Sequence, residues 1–347
     1  MDNWLEALPK ADLHLHLDGC VKPSTLLELA ADRGYPLPAD SEEDLLPYMQ
    51  VDADCDSLKT YLEKFGFVLP LLQDAAALSR VAEETVAQSA ARNCLYIEVR
   101  FAPALHMDAG LTPGDAIAAV LEGLKRGEAA YGVVARLIVI CMRHHDDGIN
   151  VPVIHAAVAL RDQGVAAVDL AGDEASHPAA QFRATFAVAR EAGIPITIHA
   201  GEAAGPYNIR EAVEELGATR IGHGIRLRED PELLAWIRER RIPLEMCPTS
   251  NIQTRAVADW DDYPIRAYYD AGLYVTVNTD NPTVSGTDMT RECETLSTRF
   301  GFTPAELTGL MRGALLAAFA EPPVKERLLA RFDELAGRLM TDVSRED

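Results

Sequence analysis

Eight short apolar segments alternate with longer helical patterns along the chain, and this alternation limits the possible folds more than any other feature. The segments are 11–16, 94–101, 135–142, 165–171, 194–200, 219–223, 242–247 and 273–279. Several are continuous apolar runs, which are typical of strands buried on both faces of a parallel sheet. Helical periodicity lies between them, for instance at 74–92, 113–131, 178–192 and 230–240. The pattern predicts an α/β fold, most economically a (β/α)₈ TIM barrel.

Two segments exceed the plan of a simple barrel. Residues 22–92 contain several short helical patterns between the first two strands, which predicts a helical insertion that covers the barrel mouth. Residues 303–340 predict C-terminal helices with no further strand. A doubly wound open sheet is the alternative, but no G-x-G-x-x-G motif follows an early strand. Without a linker or a repeat, residues 1–347 are predicted to form one domain.

The composition excludes several classes of function. The chain has 32 Lys and Arg against 54 Asp and Glu, a formal net charge of −22. Nucleic acid and anionic membranes are held by cationic patches, so we expect neither as a partner, although such a charge most often serves solubility. The N-terminus has no signal peptide pattern, and the 6 cysteines form no C-x-x-C pair. A cytoplasmic enzyme with a small-molecule substrate is the expectation.

Histidines lie where the first strand ends. His14 and His16 are two residues apart, so both face the same side of a strand, and Asp18 follows as the chain leaves the sheet. Two imidazoles at this spacing can bind one metal ion. A pair of hydrogen-bonded core histidines is the structural alternative, and the motif alone does not decide between them.

Further polar residues lie at the ends of three other predicted strands. His199 closes the fifth strand, His223 the sixth and Asp280 the eighth. In a TIM barrel the carboxyl ends of the strands form the active site. Three imidazoles and a carboxylate, with one position left for water, suit zinc or a similar divalent ion. The combined pattern therefore predicts a metal-dependent enzyme.

A series of ordered motifs identifies a family. They are LPKADLHLHLDG at 8–19, EVRFAP at 98–103, CMRH at 141–144, DLAGDE at 169–174 and CPTSN at 247–251. In these motifs the chain resembles the adenosine/AMP deaminase family of the metal-dependent amidohydrolase superfamily. The resemblance extends from residue 8 to the end of the eighth predicted strand. The resemblance implies a hydrolase acting on the C–N bonds of cyclic amidines. Its expected reaction converts adenosine and 2′-deoxyadenosine to inosine and deoxyinosine plus ammonia, with one Zn²⁺ per subunit.

The resemblance also implies roles for individual residues. The expected zinc ligands are His14, His16, His199 and Asp280. His223 resembles the catalytic base that takes a proton from water, and Asp280 can accept a hydrogen bond from the same water. Glu202 resembles the acid that donates to purine N1, a role that requires a protonated carboxyl.

Substrate contacts follow from the same resemblance. His16 and Asp18 are expected at the substrate, with Asp18 at the sugar, and the Gly172 N–H at purine N3. Asn281 replaces an aspartate that pairs with purine N7 in vertebrate relatives; an amide donates at any pH, so the contact is chemically possible. The expected apolar gate comprises Leu58, Tyr61, Leu62 and Phe65, whose helical spacing also fits ordinary core packing.

Two other functions compete with this one. Relatives that act on free adenine or on aminodeoxyfutalosine commonly carry His-Leu-Glu-Gly at the first strand, whereas this chain has Asp18 before Gly19. That difference favours adenosine, and the lack of a basic cluster disfavours AMP. A non-catalytic nucleoside-binding barrel is the second alternative, but it would not need the acid Glu202 and the base His223.

Overall fold

The computed structural model describes the backbone of residues 2–52 and 55–346. It describes side chains for residues 4–52 and 55–340. The strands are β1 Lys10–His16, β2 Cys94–Phe101, β3 Val134–Met142, β4 Val165–Ala171, β5 Thr197–Ala200, β6 Arg220–His223, β7 Leu244–Met246 and β8 Val275–Val277. The helices before β5 are α1 Asp2–Ala7, α2 Pro23–Arg33, α3 Glu42–Met49, α4 Leu58–Leu62, α5 Phe65–Val68, α6 Ala75–Ala90, α7 Pro113–Tyr131, α8 Asp147–Ala159 and α9 Arg183–Ala192. Those after β5 are α10 Tyr207–Glu214, α11 Pro231–Glu239, α12 Pro248–Gln253, α13 Ile265–Asp270, α14 Pro282–Ser285, α15 Met289–Phe300, α16 Pro304–Ala317 and α17 Pro322–Glu346.

The strands form two parallel four-stranded sheets, in the orders β1-β2-β3-β4 and β5-β6-β7-β8. A single bridge spans each seam between the sheets: Val168 pairs with Ile196, and Leu15 pairs with Asp280. The prediction of an α/β fold with eight parallel strands separated by helices is therefore confirmed. The first sheet has the longer ladders, with register shifts in the β1–β2 and β3–β4 pairs, and the seams are held by isolated contacts.

Helix α7 begins and ends where local chemistry predicts. In α7, Thr112 and Asp115 form a reciprocal capping box, and Gly132 ends the helix with a φ of 71°. Proline at the first helical position and glycine in the left-handed region are the usual signals for the two helix ends. Strand β2 is buried along its whole length, as a strand covered by helices requires.

Strands β5, β7 and β8 are shorter than the sequence pattern predicts. Pro195 and Pro243 have no N–H to donate, and they contribute only their carbonyls, which accept from Val168 and Ile221. At the end of β8, the side chain of Asn278 replaces the ladder and accepts from the Leu13 N–H at 2.9 Å. The predicted helix at 178–192 begins as a 3₁₀ turn over Ala179–Phe182 before α9.

The predicted insertion and C-terminal helices are present. Helices α2 to α6 lie between β1 and β2, and α14 to α17 follow β8. The insertion is tied to the barrel by Tyr61, whose hydroxyl lies 2.7 Å from Ser285 Oγ in α14. Among the described residues, no helix combines the length and apolar character that crossing a membrane would require.

Candidate metal centre and active site

Four side chains from both sheets converge on one point at the strand ends. The Nε2 atom of His16 lies 3.3 Å from Nε2 of His14 and 3.3 Å from Nε2 of His199. Oδ1 of Asp280 lies 3.3 Å from Nε2 of His14 and 3.3 Å from Nε2 of His16. Ligands placed 2.0–2.1 Å from a tetrahedral ion are about 3.3–3.4 Å apart, so these spacings fit a zinc-sized ion.

Hydrogen bonds on the far side of two rings orient them toward this point. Nδ1 of His14 is 2.8 Å from Oε2 of Glu245, and Nδ1 of His199 is 2.9 Å from Oδ2 of Asp169. Because a carboxylate accepts the Nδ1 hydrogen, each ring presents the lone pair of Nε2 to the centre. Burial lowers the pKa of His14 to about 4, which favours the neutral form that ligation needs.

Asp280 reaches the centre because its backbone bonds to β1 instead of continuing β8. Its N–H donates to the His14 carbonyl at 2.8 Å, its carbonyl accepts from the His16 N–H at 2.8 Å, and its φ is 63°. Ser250 Oγ donates to Oδ2 at 2.6 Å. Although burial opposes ionisation, the hydrogen bond from His14 and the charges of the neighbouring histidines hold the pKa of Asp280 well below its usual range.

His223 lies beside this cluster with its tautomer set by a neighbour. The Asn251 amide nitrogen is 3.0 Å from Nδ1 of His223, and Oδ1 of Asn251 accepts from the Tyr263 hydroxyl and the Cys247 N–H. Nδ1 of His223 therefore accepts a hydrogen bond, so the hydrogen of the neutral ring is on Nε2. That atom lies 3.5 Å from Oε2 of Glu202.

Glu202 is 7% exposed and faces His223 and the cavity. Thr254 Oγ1 lies 3.0 Å from its Oε1. Burial raises the pKa of Glu202, with His223 opposing this shift and the charge of Asp280 adding to it. The environment thus favours a neutral carboxyl that can donate a hydrogen bond.

The loop that presents Glu202 is fixed by a second carboxylate, Glu174, which is 2% exposed. Glu174 accepts hydrogen bonds from the backbone N–H groups of four consecutive residues, Gly201 at 2.6 Å, Glu202 at 3.0 Å, Ala203 at 2.8 Å and Ala204 at 3.0 Å. In the sequence, Glu174 stands out only as part of the DLAGDE motif, with no role assigned to it. The available signal was a carboxylate in the loop after β4, three residues beyond Ala171.

A cavity of about 300 Å³ opens over the cluster. All the substrate-binding residues expected from the sequence line it: His16, Asp18, Leu58, Tyr61, Leu62, Phe65, Gly172 and Asn281. Apolar residues that sequence reasoning missed also line it, among them Ala102, Leu105, Ile140, Met142 and Ala171. The cavity is therefore a mostly apolar pocket with a few polar groups, the usual form of a small-molecule site.

Two buried oxygens in the pocket have no hydrogen-bond partner among the described residues. They are Oδ1 of Asp18 and Oδ1 of Asn281. Buried polar atoms without a partner are costly, and a ligand hydroxyl group that donates to Oδ1 of Asp18 would remove that cost at the first of them. Gly172 has a φ of 109°, which favours glycine at the position expected to donate its N–H to the substrate.

A family model and the sequences of known proteins both relate this chain to the same family. The family model described as Adenosine deaminase matches residues 9–335. A protein named adenosine deaminase from Enterococcus faecalis is 42% identical over 333 residues, which cover 96% of this chain and 98% of that protein.

Two solved structures have a fold that is closely similar to that of this chain. An adenine deaminase from Arthrobacter aurescens has a TM-score of 0.85 at 27% identity, with 94% of this chain and 98% of that chain covered. An amidohydrolase from Burkholderia ambifaria with bound Zn has a TM-score of 0.86 at 28% identity, with 98% and 94% covered.

Proposed function

This chain belongs to the adenosine deaminase family and is a hydrolytic deaminase, and we propose that its substrates are adenosine and 2′-deoxyadenosine. Water replaces the 6-amino group, so the products are inosine or deoxyinosine and ammonia. The observation that most supports this is the convergence of three imidazole nitrogens and the Asp280 carboxylate beside the buried acid Glu202.

We propose that the metal is zinc, one ion per subunit, with His14, His16, His199 and Asp280 as ligands. The nitrogen-rich donor set and the tetrahedral spacing support this choice over magnesium or calcium, which prefer oxygen ligands. When bound, zinc lowers the pKa of water from about 15.7 to about 7, which provides a nucleophile at neutral pH.

Glu202 acts at purine N1. Attack at C6 breaks the conjugation of the ring unless the electron density that builds up on N1 is neutralised. A protonated carboxyl donates a hydrogen to N1 as the new C–O bond forms, and the raised pKa of Glu202 supports this state. The 6-amino group then takes the proton of the new C6 hydroxyl and leaves as ammonia, so the C6 carbonyl forms while N1 keeps its hydrogen. The proton released from the attacking water restores the Glu202 carboxyl.

His223 orients the attacking water. Whether it can also act as a base depends on whether its Nε2 atom carries a hydrogen. A base must accept the water proton at Nε2, whereas the Asn251 hydrogen bond favours a ring that carries hydrogen there. Proton acceptance thus requires Asn251 to turn its oxygen toward Nδ1. With the present tautomer, His223 instead holds the water by donating from Nε2.

The Asn251→Asp variant distinguishes these two roles, because a carboxylate accepts the Nδ1 hydrogen and leaves Nε2 free. If His223 is the base, this variant keeps or exceeds the wild-type kcat, because Nε2 is free to accept the water proton. If His223 is a donor, kcat falls well below that of the wild type, because the neutral ring no longer carries hydrogen on Nε2. Asn251→Gln, which retains the amide, is the matched control, and the measurement is kcat of all three proteins at one pH.

The pocket accounts for the rest of the substrate. We propose that Gly172 donates its N–H to purine N3, Asn281 contacts N7, and His16 and Asp18 contact the nucleoside, with Asp18 at the sugar. The gate of Leu58, Tyr61, Leu62 and Phe65 covers the base. Because the described lining of the cavity includes no lysine or arginine, it favours a nucleoside over a nucleotide.

We further propose that residues 1–347 act as one domain in the cytoplasm. The C-terminal segment supports the first point, since the Phe319 N–H donates to Oε1 of Glu98 inside the barrel. The six unpaired, buried cysteines support the second, because reduced thiols are typical of that compartment.

The test is turnover of separate substrates by the zinc-loaded protein, followed by the change in purine absorbance. We expect activity with adenosine and 2′-deoxyadenosine, loss on treatment with a zinc chelator, and recovery when zinc is added. Turnover of adenine or aminodeoxyfutalosine alone would replace the substrate assignment, and turnover of none would favour a binding protein.

A further inference from the structure

The barrel interior beneath the metal-ligand cluster contains charged side chains. Arg100 is 0% exposed, as are Asp169 and Glu245, and Arg220 is 1% exposed. Burying charges is costly unless each is paired, so such a group requires a specific arrangement. The arrangement here connects two of the ligand histidines.

Arg100 spans the two carboxylates behind the ligands. Its Nη1 donates to Oδ2 of Asp169 at 2.8 Å, and its Nη2 donates to Oε2 of Glu245 at 2.8 Å. Asp169 accepts from Nδ1 of His199, and Glu245 accepts from Nδ1 of His14 through the oxygen that also contacts Arg100. The Arg100 guanidinium is therefore connected, through one carboxylate each, to two proposed ligands on different sheets.

The same arginine also bonds the backbone of the strand that holds His14. Its Nη2 donates to the carbonyl of Leu13 at 2.7 Å. Glu245 is held on three sides by donors, because its Oε2 lies 2.8 Å from both Arg100 Nη2 and His14 Nδ1 while its Oε1 contacts Arg220.

We propose that Arg100 is a positioning residue that fixes Asp169 and Glu245 in one arrangement, so that His14 and His199 direct Nε2 to the same point. It contacts neither the ion nor the substrate. Its effect is on metal affinity, and the inference rests on the proposed zinc site.

An arginine is needed because its two Nη groups point to two partners in one plane. A lysine at the same position has the same charge but a single ammonium, which cannot hold both carboxylates in a fixed relation. Arg100→Lys therefore removes the connection while it retains the charge.

Arg220 provides a matched control. It is equally buried and also contacts Glu245, but through the other carboxylate oxygen, Oε1, and its remaining contacts include Glu98 and the Ala317 carbonyl. No hydrogen bond joins it to Asp169 among the described residues. Arg220→Lys thus perturbs the same network without removing the link between the two ligand-holding carboxylates.

The test is the zinc affinity of the full-length protein, measured by competition with a chromophoric chelator at fixed pH. We expect Arg100→Lys to bind zinc about 10-fold more weakly, since losing a direct partner of a metal-bound histidine usually costs about 10- to 100-fold and Arg100 acts through such partners. We expect a clearly smaller loss for Arg220→Lys. Unchanged affinity in Arg100→Lys, or equal losses in both variants, would overturn the proposal. Failure of the wild-type protein to bind zinc would instead overturn the proposed metal site.

If Arg100→Lys does not fold, a comparison of two double-variant cycles decides. One combines Asp169→Asn with Glu245→Gln, whose residues share Arg100. The other combines Asp169→Asn with Ser250→Ala, since Ser250 holds the ligand Asp280 without contacting Arg100. We expect stronger coupling of zinc affinities in the first pair. Equal coupling in both pairs would show that the shared ion alone connects them, and would contradict the proposal.

Discussion

The two sheets contribute equally to the proposed metal ligands but are built differently. Strands β1 to β4 have 7, 8, 9 and 7 residues, whereas β5 to β8 have 4, 4, 3 and 3. His223 at the end of β6 and Asp280 just after β8 have backbone φ values near 60°, which residues other than glycine rarely adopt. The first sheet is held by longer backbone ladders, with register shifts in the β1–β2 and β3–β4 pairs. Side-chain hydrogen bonds such as those of Asn278 and Glu174 hold the segments that follow the short strands of the second sheet, which contains most of the proposed chemistry.

The largest expected effect comes from the acid of the second sheet. Glu202→Gln removes the ionisable hydrogen proposed to reach purine N1, so we expect kcat to fall about 10²- to 10⁴-fold. Zinc content, measured by atomic absorption, should remain at one ion per chain because Glu202 is not a proposed ligand. Near-normal kcat would contradict the N1 role, and loss of zinc would point to a wider disturbance of the site.

A smaller effect should appear in the stability of the loops after β7 and β8. Glu292 is fully buried, with Thr287 Oγ1 at 2.6 Å and the Thr249 N–H at 3.3 Å as its donors, and burial raises its pKa to about 7. The folded protein therefore holds this proton more tightly than the unfolded chain does. Glu292 favours folding below pH 4.5, and this contribution is lost as the pH rises through 7.

Glu292→Gln should accordingly remove part of the decline in unfolding free energy between pH 4.5 and pH 8, by at most about 3 kcal/mol. Denaturant unfolding at several pH values measures it. Glu294→Gln, an exposed change on the same helix, is the control and should leave the slope unchanged. Identical slopes in the wild type and both variants would show that Glu292 does not titrate in this range.

The next prediction tests whether the short strands depend on side-chain support. Glu174 accepts from four consecutive N–H groups, and a glutamine offers one oxygen in place of two. A loss of about 1.5–3 kcal/mol, the usual contribution of a hydrogen bond to a charged group, would lower kcat/KM about 10- to 100-fold. We expect kcat to account for most of this in Glu174→Gln, because Glu202 is displaced while the rest of the pocket remains. A change in stability alone, with normal kinetics, would contradict it.

The smallest effect compares one substitution in both sheets. Ile97 in β2 and Ile198 in β5 are both 0% exposed, so Ile→Val at either site should cost about 0.5–1.5 kcal/mol of unfolding free energy. Only Ile198→Val, next to His199, should also reduce kcat. Because Ile97 lies in a strand without a proposed ligand, equal kinetics in both variants would contradict the expected dependence of catalysis on packing next to His199.

The sequence predicted the repeating plan well because apolar runs and helical periods reflect burial directly. Residues 94–101 and 113–131 were predicted with the same bounds that the structure has. The ends of β7 and β8 were not, because Asn278 substitutes a side chain for the ladder through a contact with Leu13, far away in sequence.

In the candidate site, too, residues with a local sequence pattern were predicted, whereas residues that act through distant contacts were not. His14, His16, His199 and Asp280 were found from their position at strand ends, and the structure brings them together, while their roles stay predictions. Their supporting partners were missed, although charged residues inside apolar strands, such as Arg100 and Glu245, were a usable signal. The Asn251 contact that sets the tautomer of His223 had no local sign, since it joins two separate loops.

Gly19 places a constraint on the evolution of this pocket. A Cβ atom at this position would lie 2.1 Å from Oδ1 of Asn281, so even alanine would displace the amide proposed to contact the purine. The two positions cannot vary independently: a larger residue at 281 still requires glycine at 19. Libraries that aim to change the base preference should therefore keep Gly19 fixed and diversify the apolar wall, where Leu105, Ile140 and Met142 lie.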